Sequence, residues 1–283
     1  MSEIIEGMSY EDYAARPGVN ASLLKIVDQY SLAHARAYMD GTFKPESDAL
    51  DFGKAFHSHM LEGKTEYVIT PETYPHSGDK AKGIEKGDPA PWNSNAKFCK
   101  QWAESQTQTI LTAVQHEKLL AMSAAGQSLL PVARRRHEVS VFAEKDGIPI
   151  KCRIDMLPED VLKYGVWDVK SCVSANPENF LSRSLSMRYH MQAAWTLDVL
   201  RLAGVKADIF NFEAIEKTAP YAVSVLTMAD IPCSFLRVGR ARCRAAFQKL
   251  RTAQETGKWP GYGVVTAEDF AKPWQLKELE QTA

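Results

Sequence analysis

The stretch "KCRIDMLPEDVLKYGVWDVKSC", residues 151–172, reads as two β-strands around a turn, yet it sets Asp155, Asp168 and Lys170 among apolar residues. Side chains alternate across a strand, so Lys151, Arg153 and Asp155 share one face while Cys152 and Ile154 share the other. Asp168 and Lys170 likewise point the same way. Upstream, "HEVSVFAE" alternates in the same manner, and Asp146-Gly147, a dipeptide suited to a tight hairpin turn, joins it to "GIPIKCRIDML". The reading is a three-stranded meander.

Antiparallel pairing about each turn decides which residues meet. The midpoint of Glu138 and Asp155 falls between Asp146 and Gly147, and that of Asp155 and Asp168 falls between Val161 and Leu162, each inside its turn. Glu138, Asp155 and Asp168 are therefore expected abreast on strands ~4.8 Å apart. Three carboxylates so close repel one another in a half-buried sheet unless a cation neutralises them. Oxygen ligands at ~2.0–2.6 Å around Mg²⁺, Mn²⁺ or Ca²⁺ suit that spacing. A hard divalent ion lowers the pKa of a bound water and neutralises charge on phosphoryl oxygens. Lys170 is placed to orient that water or to stabilise developing negative charge, and Lys151 and Arg153 to grip flanking phosphates. The competing reading is a cross-strand ion pair between Asp155 and Lys170 on a wet sheet face, since one D-x-K arises by chance about once in a chain of this size.

Before the meander the pattern is helical. "NASLLKIVDQY" has Asn20 or Ser22 as N-cap, and "ALDFGKAFHSHMLEG" ends at Gly63. Between Thr70 and Asn95, Pro, Gly and Lys predominate and predict a surface loop, after which one helical stretch runs to about residue 130. Beyond Cys172 come a helical region closed by Gly204, two strands, "ADIFNFEAIE" and "YAVSVLTM", and a last long helix. The fold class is α/β: helix, three-strand meander, helix and further strands, with helical additions at both ends. One domain is expected over 1–283, with a mainly helical part to 130, an α/β core over 131–230, and a helix and tail over 231–283.

The hydrophobic content of 45% and charged content of 24% are ordinary for a globular protein. A net charge of -1, from 34 basic against 35 acidic residues, argues against a chain that coats nucleic acid nonspecifically. It suits an enzyme whose carboxylates offset its phosphate-binding cations. The N-terminus lacks a basic segment followed by an apolar one, and no stretch approaches ~18 apolar residues, so a cytoplasmic protein without membrane contact is expected. Five cysteines without C-x-x-C spacing read as free thiols.

"RID" through "WDVK" resembles the signature of the PD-(D/E)xK nuclease superfamily, an acid ending one strand and D/E-x-K on the next, with Ile154 where the name has proline. The similarity extends to RecE-like (exonuclease VIII type) phage and prophage exonucleases. "VNASLLK" resembles their opening helix, "ALDFGKAFHSHMLE" their histidine motif, "HEVSVFAEKDGIPIKCRIDML" their glutamate-bearing strand, "YHMQAAW" their glutamine motif and "TGKWPGY" their C-terminal region. The resemblance implies an Mg²⁺- or Mn²⁺-dependent exonuclease that degrades double-stranded DNA from 5′ ends. It would leave 3′ single strands for an annealing protein, as a homo-oligomeric ring, in a bacterial cell and encoded by a phage or prophage. It makes Asp155 and Asp168 the principal metal ligands with His57 and the Val169 backbone carbonyl, Glu138 the auxiliary acid, Lys170 the catalytic lysine and Gln192 an orienting residue. Tyr189 becomes a DNA contact. One departure is Thr196, four residues after the glutamine, where such nucleases carry tyrosine.

Several of these residues have plainer readings. His57 is a helical histidine with His59 as a neighbouring rival, and only the resemblance selects His57. Gln192 could cross-link helices, and Glu138 could pair with Arg134, Arg135 or Arg136. Those arginines, Arg135 included, make a basic run fit for the DNA backbone or for solvent. Arg237, Arg240, Arg244 and Arg251 make a basic stripe on the last helix, facing DNA or water. Two further functions compete with the exonuclease: an endonuclease of the same superfamily, and a nuclease-fold protein that binds DNA or a recombination partner without cutting.

Overall fold

The computed structural model describes residues 2–45, 50–79, 83–127, 135–229 and 233–263. The chain opens with a short strand, β1 (Glu3–Ile5), and helices α1 (Tyr10–Ala15), α2 (Ala21–Gln29) and α3 (Leu32–Met39). Asn20 caps α2 by accepting a hydrogen bond from the Leu23 N–H. Helix α4 (Leu50–Glu62) stops at Gly63, whose φ of 66° lies in the left-handed region that a side chain disfavours.

The next segment departs from the sequence reading. The expected loop holds a hairpin of β3 (Thr73–Pro75) and β4 (Pro89–Pro91), while β2 (Tyr67–Ile69), just before it, pairs in parallel with β5 (Thr109–Leu111). The expected single helix is divided by β5 into α5 (Lys97–Glu104) and α6 (Ala113–Gln127). A capping box restarts the second: the Thr112 N–H donates to Gln115 Oε1 at 2.8 Å, and the Gln115 N–H donates to Thr112 Oγ1 at 3.2 Å.

The meander forms as expected from β6 (Arg135–Lys145), β7 (Ile148–Pro158) and β8 (Val166–Cys172), with a short helix α7 (Val161–Tyr164) in the second turn. Helices α8 (Pro177–Ser186) and α9 (Tyr189–Leu202) cross over to β9 (Ile209–Glu216), which lies parallel to β8, and β10 (Val223–Ala229) returns antiparallel. Strand β1 adds to the β6 edge, giving a six-stranded sheet in the order β1-β6-β7-β8-β9-β10. Helix α10 (Ser234–Thr256) follows.

Two apolar cores cover the sheet. One joins α2, α9 and α10 to Val139, Ile154, Phe210 and Phe212, and the other joins α4 and α6 to Met156, Trp167, Val169 and Ile215. Gly239 lets α10 touch α9, because a Cβ there would lie 2.1 Å from the His190 carbonyl oxygen. The five cysteines are free thiols, and among the described residues no helix is long and apolar enough to cross a membrane. The fold is thus the mixed α/β arrangement read from the sequence.

Candidate active site

The strand register delivers the predicted row of acids. His137 pairs with Met156 and Val139 with Ile154, which sets Glu138 opposite Asp155. Met156 pairs with Trp167, which brings Asp155 level with Asp168. Both strands are irregular at this level. Glu138 has a φ of 51°, a conformation that costs a non-glycine residue roughly 1–2 kcal/mol. Ile154 and Met156 enter different cores, although alternate residues of a regular strand share a face. Beyond Trp167 the β7–β8 ladder opens, and the Val169 N–H donates instead to Asp155 Oδ2 at 2.8 Å.

His57, on α4, brings Nδ1 to 3.4 Å from Asp155 Oδ2. One ligand atom each from His57, Glu138 and Asp155 lies within 4.8 Å of the others, all three side chains being half-buried. The rival His59 turns to Tyr67, with ring centroids 6.4 Å apart. Asp168 faces the α9 side: Oδ1 accepts from Gln192 Nε2 at 2.6 Å, and Oδ2 pairs with the Lys170 ammonium. The site therefore has two halves, one of acids and an imidazole, the other of a lysine, an amide and the acid between them.

Electrostatics support an ion in the first half. Burial, then the charge of Asp168, raises the Asp155 pKa to about 7, and burial, then Asp155, raises that of Glu138. Burial and the Lys170 charge lower the His57 pKa, which leaves a neutral imidazole able to ligate at pH 7. Two carboxylates that resist ionisation until a cation meets them, and one neutral imidazole, are a donor set suited to a divalent cation. Burial opposes charge on Lys170, but Asp168 and Asp155 outweigh it and raise its pKa, so the ammonium persists.

A family model described as "PDDEXK-like domain of unknown function (DUF3799)" matches residues 20–268. The chain belongs to this PDDEXK-like family. Its fold is similar to that of the crystal structure of a "Putative exonuclease" from Eubacterium rectale, with a TM-score of 0.62, 14% identity, and 96% of this chain and 97% of that one covered. The crystal structure of SSO0001 aligns at 12% identity over 71% of this chain and 86% of that one, with a TM-score of 0.31 that is too low to bear on the fold. No curated protein matches the sequence. Family and fold place the chain in the PD-(D/E)xK nuclease superfamily and support nuclease activity.

In this PDDEXK-like domain several expected DNA contacts are occupied otherwise. Lys151 was expected at a phosphate. It is instead 4% exposed, and its Nζ donates to the carbonyls of Tyr13 at 2.7 Å, Ala14 at 3.2 Å and Arg16, because the end of α1 folds over that face of β7. Arg153 pairs with Glu138 and donates to the Met8 carbonyl at 2.8 Å, so it holds Glu138 in place. Arg135 is half-buried at the start of β6, near enough to Glu213 to act on its charge. Arg136 pairs with Glu6 at 3.0 Å, and Arg134 lies outside the described residues. On α10, Arg240 pairs with Asp198 and Arg251 with Glu255, which divides the basic stripe. Thr196 is 4% exposed, so its position in α9 offers DNA no surface.

Tyr189 does reach the site. Its ring stacks on Phe212 at 5.2 Å and lies 5.3 Å from the Lys170 ammonium. One residue of the site was missed in the sequence. Lys25 of α2, within the quoted "VNASLLK", donates from Nζ to Gln192 Oε1 at 3.2 Å. The only signal was a lysine in an otherwise apolar helix start, where Leu23, Leu24, Ile26 and Val27 are all buried.

Proposed function

We propose that the chain is a divalent-metal-dependent exodeoxyribonuclease acting on double-stranded DNA, with residues 1–283 working as one nuclease domain. The observation that carries the reading is the convergence of His57, Glu138 and Asp155 beside the Asp168–Lys170 pair. His57, Glu138, Asp155, Asp168 and the Val169 carbonyl would hold Mg²⁺ or Mn²⁺, which supplies an acidified water and charge neutralisation at the phosphoryl oxygens. The chain's own groups divide the remaining work. Arg153 restrains Glu138, and the Val169 N–H restrains Asp155. Asp168 would lend a carboxylate oxygen to the ion, and the Lys170 ammonium paired with it lies where it can stabilise negative charge as the phosphodiester is hydrolysed. Gln192 keeps Asp168 oriented meanwhile through its 2.6 Å hydrogen bond.

The RecE-like motif set, and the description of the similar Eubacterium rectale protein as an exonuclease, favour attack from ends over internal cutting. The same resemblance supports 5′ to 3′ digestion, a 3′ single strand handed to an annealing protein, and a ring-shaped homo-oligomer. Digestion of end-labelled linear duplex, beside a covalently closed circle, with Mg²⁺, Mn²⁺ or chelator, tests the reading. Mononucleotides released from the 5′-labelled strand and an intact circle are expected. Nicking of the circle would select the endonuclease, and inertness of both substrates in either metal would reject a nuclease.

A further inference from the structure

Lys25 is half-buried at the wall of the site, and the cutting chemistry above does not use it. It lies at one end of the Gln192 amide, while Asp168 lies at the other. Its ammonium is 5.3 Å from the centroid of the Tyr189 ring, and that of Lys170 is 5.3 Å from the same centroid. Two cations thus share one aromatic ring, an arrangement in which their mutual repulsion needs negative charge nearby.

The neighbouring acids are committed elsewhere. Asp168 pairs with Lys170, and Asp28, one turn along α2, pairs with Arg188 and Arg242. Among the described residues no carboxylate pairs with Lys25, whose single hydrogen-bond acceptor is the Gln192 amide oxygen. Burial, and then the charge of Lys170, pull its pKa down to about 7, as befits a cation short of an anion.

We propose that Lys25, with the Gln192 amide and the Tyr189 ring, forms a subsite for a backbone phosphate next to the one that is cut, its ammonium donating to a non-bridging oxygen. Lys170 stands at the acids, so the far end of the Gln192 amide meets the neighbouring phosphate of the same strand. The site takes phosphodiester backbone without regard to base. It rests on the nuclease reading and adds to it a contact that grips substrate.

The test is duplex binding by the full chain in Ca²⁺, followed by fluorescence anisotropy over a salt series, for the parent, Lys25→Met and Lys25→Arg. Lys25→Met is expected to weaken binding about tenfold and to reduce the salt slope by about 1, with an unchanged Tm, while Lys25→Arg keeps both. A single neutral methylphosphonate walked along the strand should weaken the parent at one position flanking the cut and leave Lys25→Met unaffected there. If Lys25→Met keeps the parent's affinity and slope and loses only kcat, as Gln192→Ala would, Lys25 merely positions the amide and the subsite is refuted. If the parent binds and cuts no DNA, the nuclease reading falls and the subsite with it, a result distinct from the first.

Discussion

Asp155 accepts a hydrogen bond from the Val169 N–H at 2.8 Å across the gap where β7 and β8 part, so one carboxylate both pins the sheet and joins the cluster with His57 and Glu138. Asn can keep the pin and lose the charge. Asp155→Asn is therefore expected to fold normally and lose at least about a thousandfold of divalent-dependent hydrolysis, whereas Asp155→Ala also loses about 1–2 kcal/mol of stability. The folded pKa of about 7 exceeds the ordinary 3.8, so native protein binds more protons than unfolded chain between those values. Metal-free parent should lose stability as pH rises from about 4 to 7, and Asp155→Asn should not. Melts in chelator and single-turnover digestion check both points. Cutting by Asp155→Asn within tenfold of the parent would remove Asp155 from the chemistry.

Lys151 makes the opposite prediction. Its three hydrogen bonds go to carbonyls at and just past the end of α1, and burial lowers its pKa. Lys151→Met leaves those carbonyls without a donor, and a loss of about 2–4 kcal/mol is expected. The salt slope of DNA binding should stay at the parent's value. A stable variant whose slope falls by about 1 would return Lys151 to the phosphate role.

The contrast between these two residues shows what a sequence can disclose. Hairpin symmetry about Asp146-Gly147 was enough to set Glu138 against Asp155, because antiparallel register is a local property of turn and strand length. Alternation groups Lys151 with Asp155, but nothing local says that Tyr13–Arg16 will cover the lysine or that the strand turns irregular before Met156. Lys25 and Gln192 are 167 residues apart, and helical periodicity names a buried face without naming the helix it will meet. The break before α6 was different. Thr112 and Gln115 spell a capping box in "TAVQ", a local signal for a helix start. Strands of three residues such as β1 and β3 are too short for a period to register.

Glu213, the β9 partner of Val169, gives a second pH test. It is wholly buried in β9, and neither carboxyl oxygen has a hydrogen-bond partner among the described residues. Burial lifts its pKa to about 8 from the ordinary 4.5, against a smaller pull from Arg135. Native protein holds the extra proton between those values, so this residue erodes stability as pH rises from about 4.5 to about 8. Glu213→Gln stays neutral throughout. The two proteins should melt alike near pH 4.5, and by pH 8 the variant should be about 2–4 kcal/mol more stable, several degrees in Tm. A gap between the melting curves that does not widen with pH would contradict the raised pKa.

His57 separates ion binding from the rest of the site. Its imidazole is the one neutral donor among the three converging groups, and it comes from α4, outside the sheet that carries Glu138 and Asp155. Removing it leaves the acids and the Asp168–Lys170 pair in place. His57→Ala should therefore need about tenfold or more metal for half-maximal hydrolysis and approach the parent's rate at saturating Mn²⁺, unlike Asp155→Asn. His59→Ala is the control, since that ring lies against Tyr67 and should leave the metal titration unmoved. Equal metal requirements for His57→Ala and the parent would show that α4 lends no ligand, and the ion site would then belong to the sheet alone.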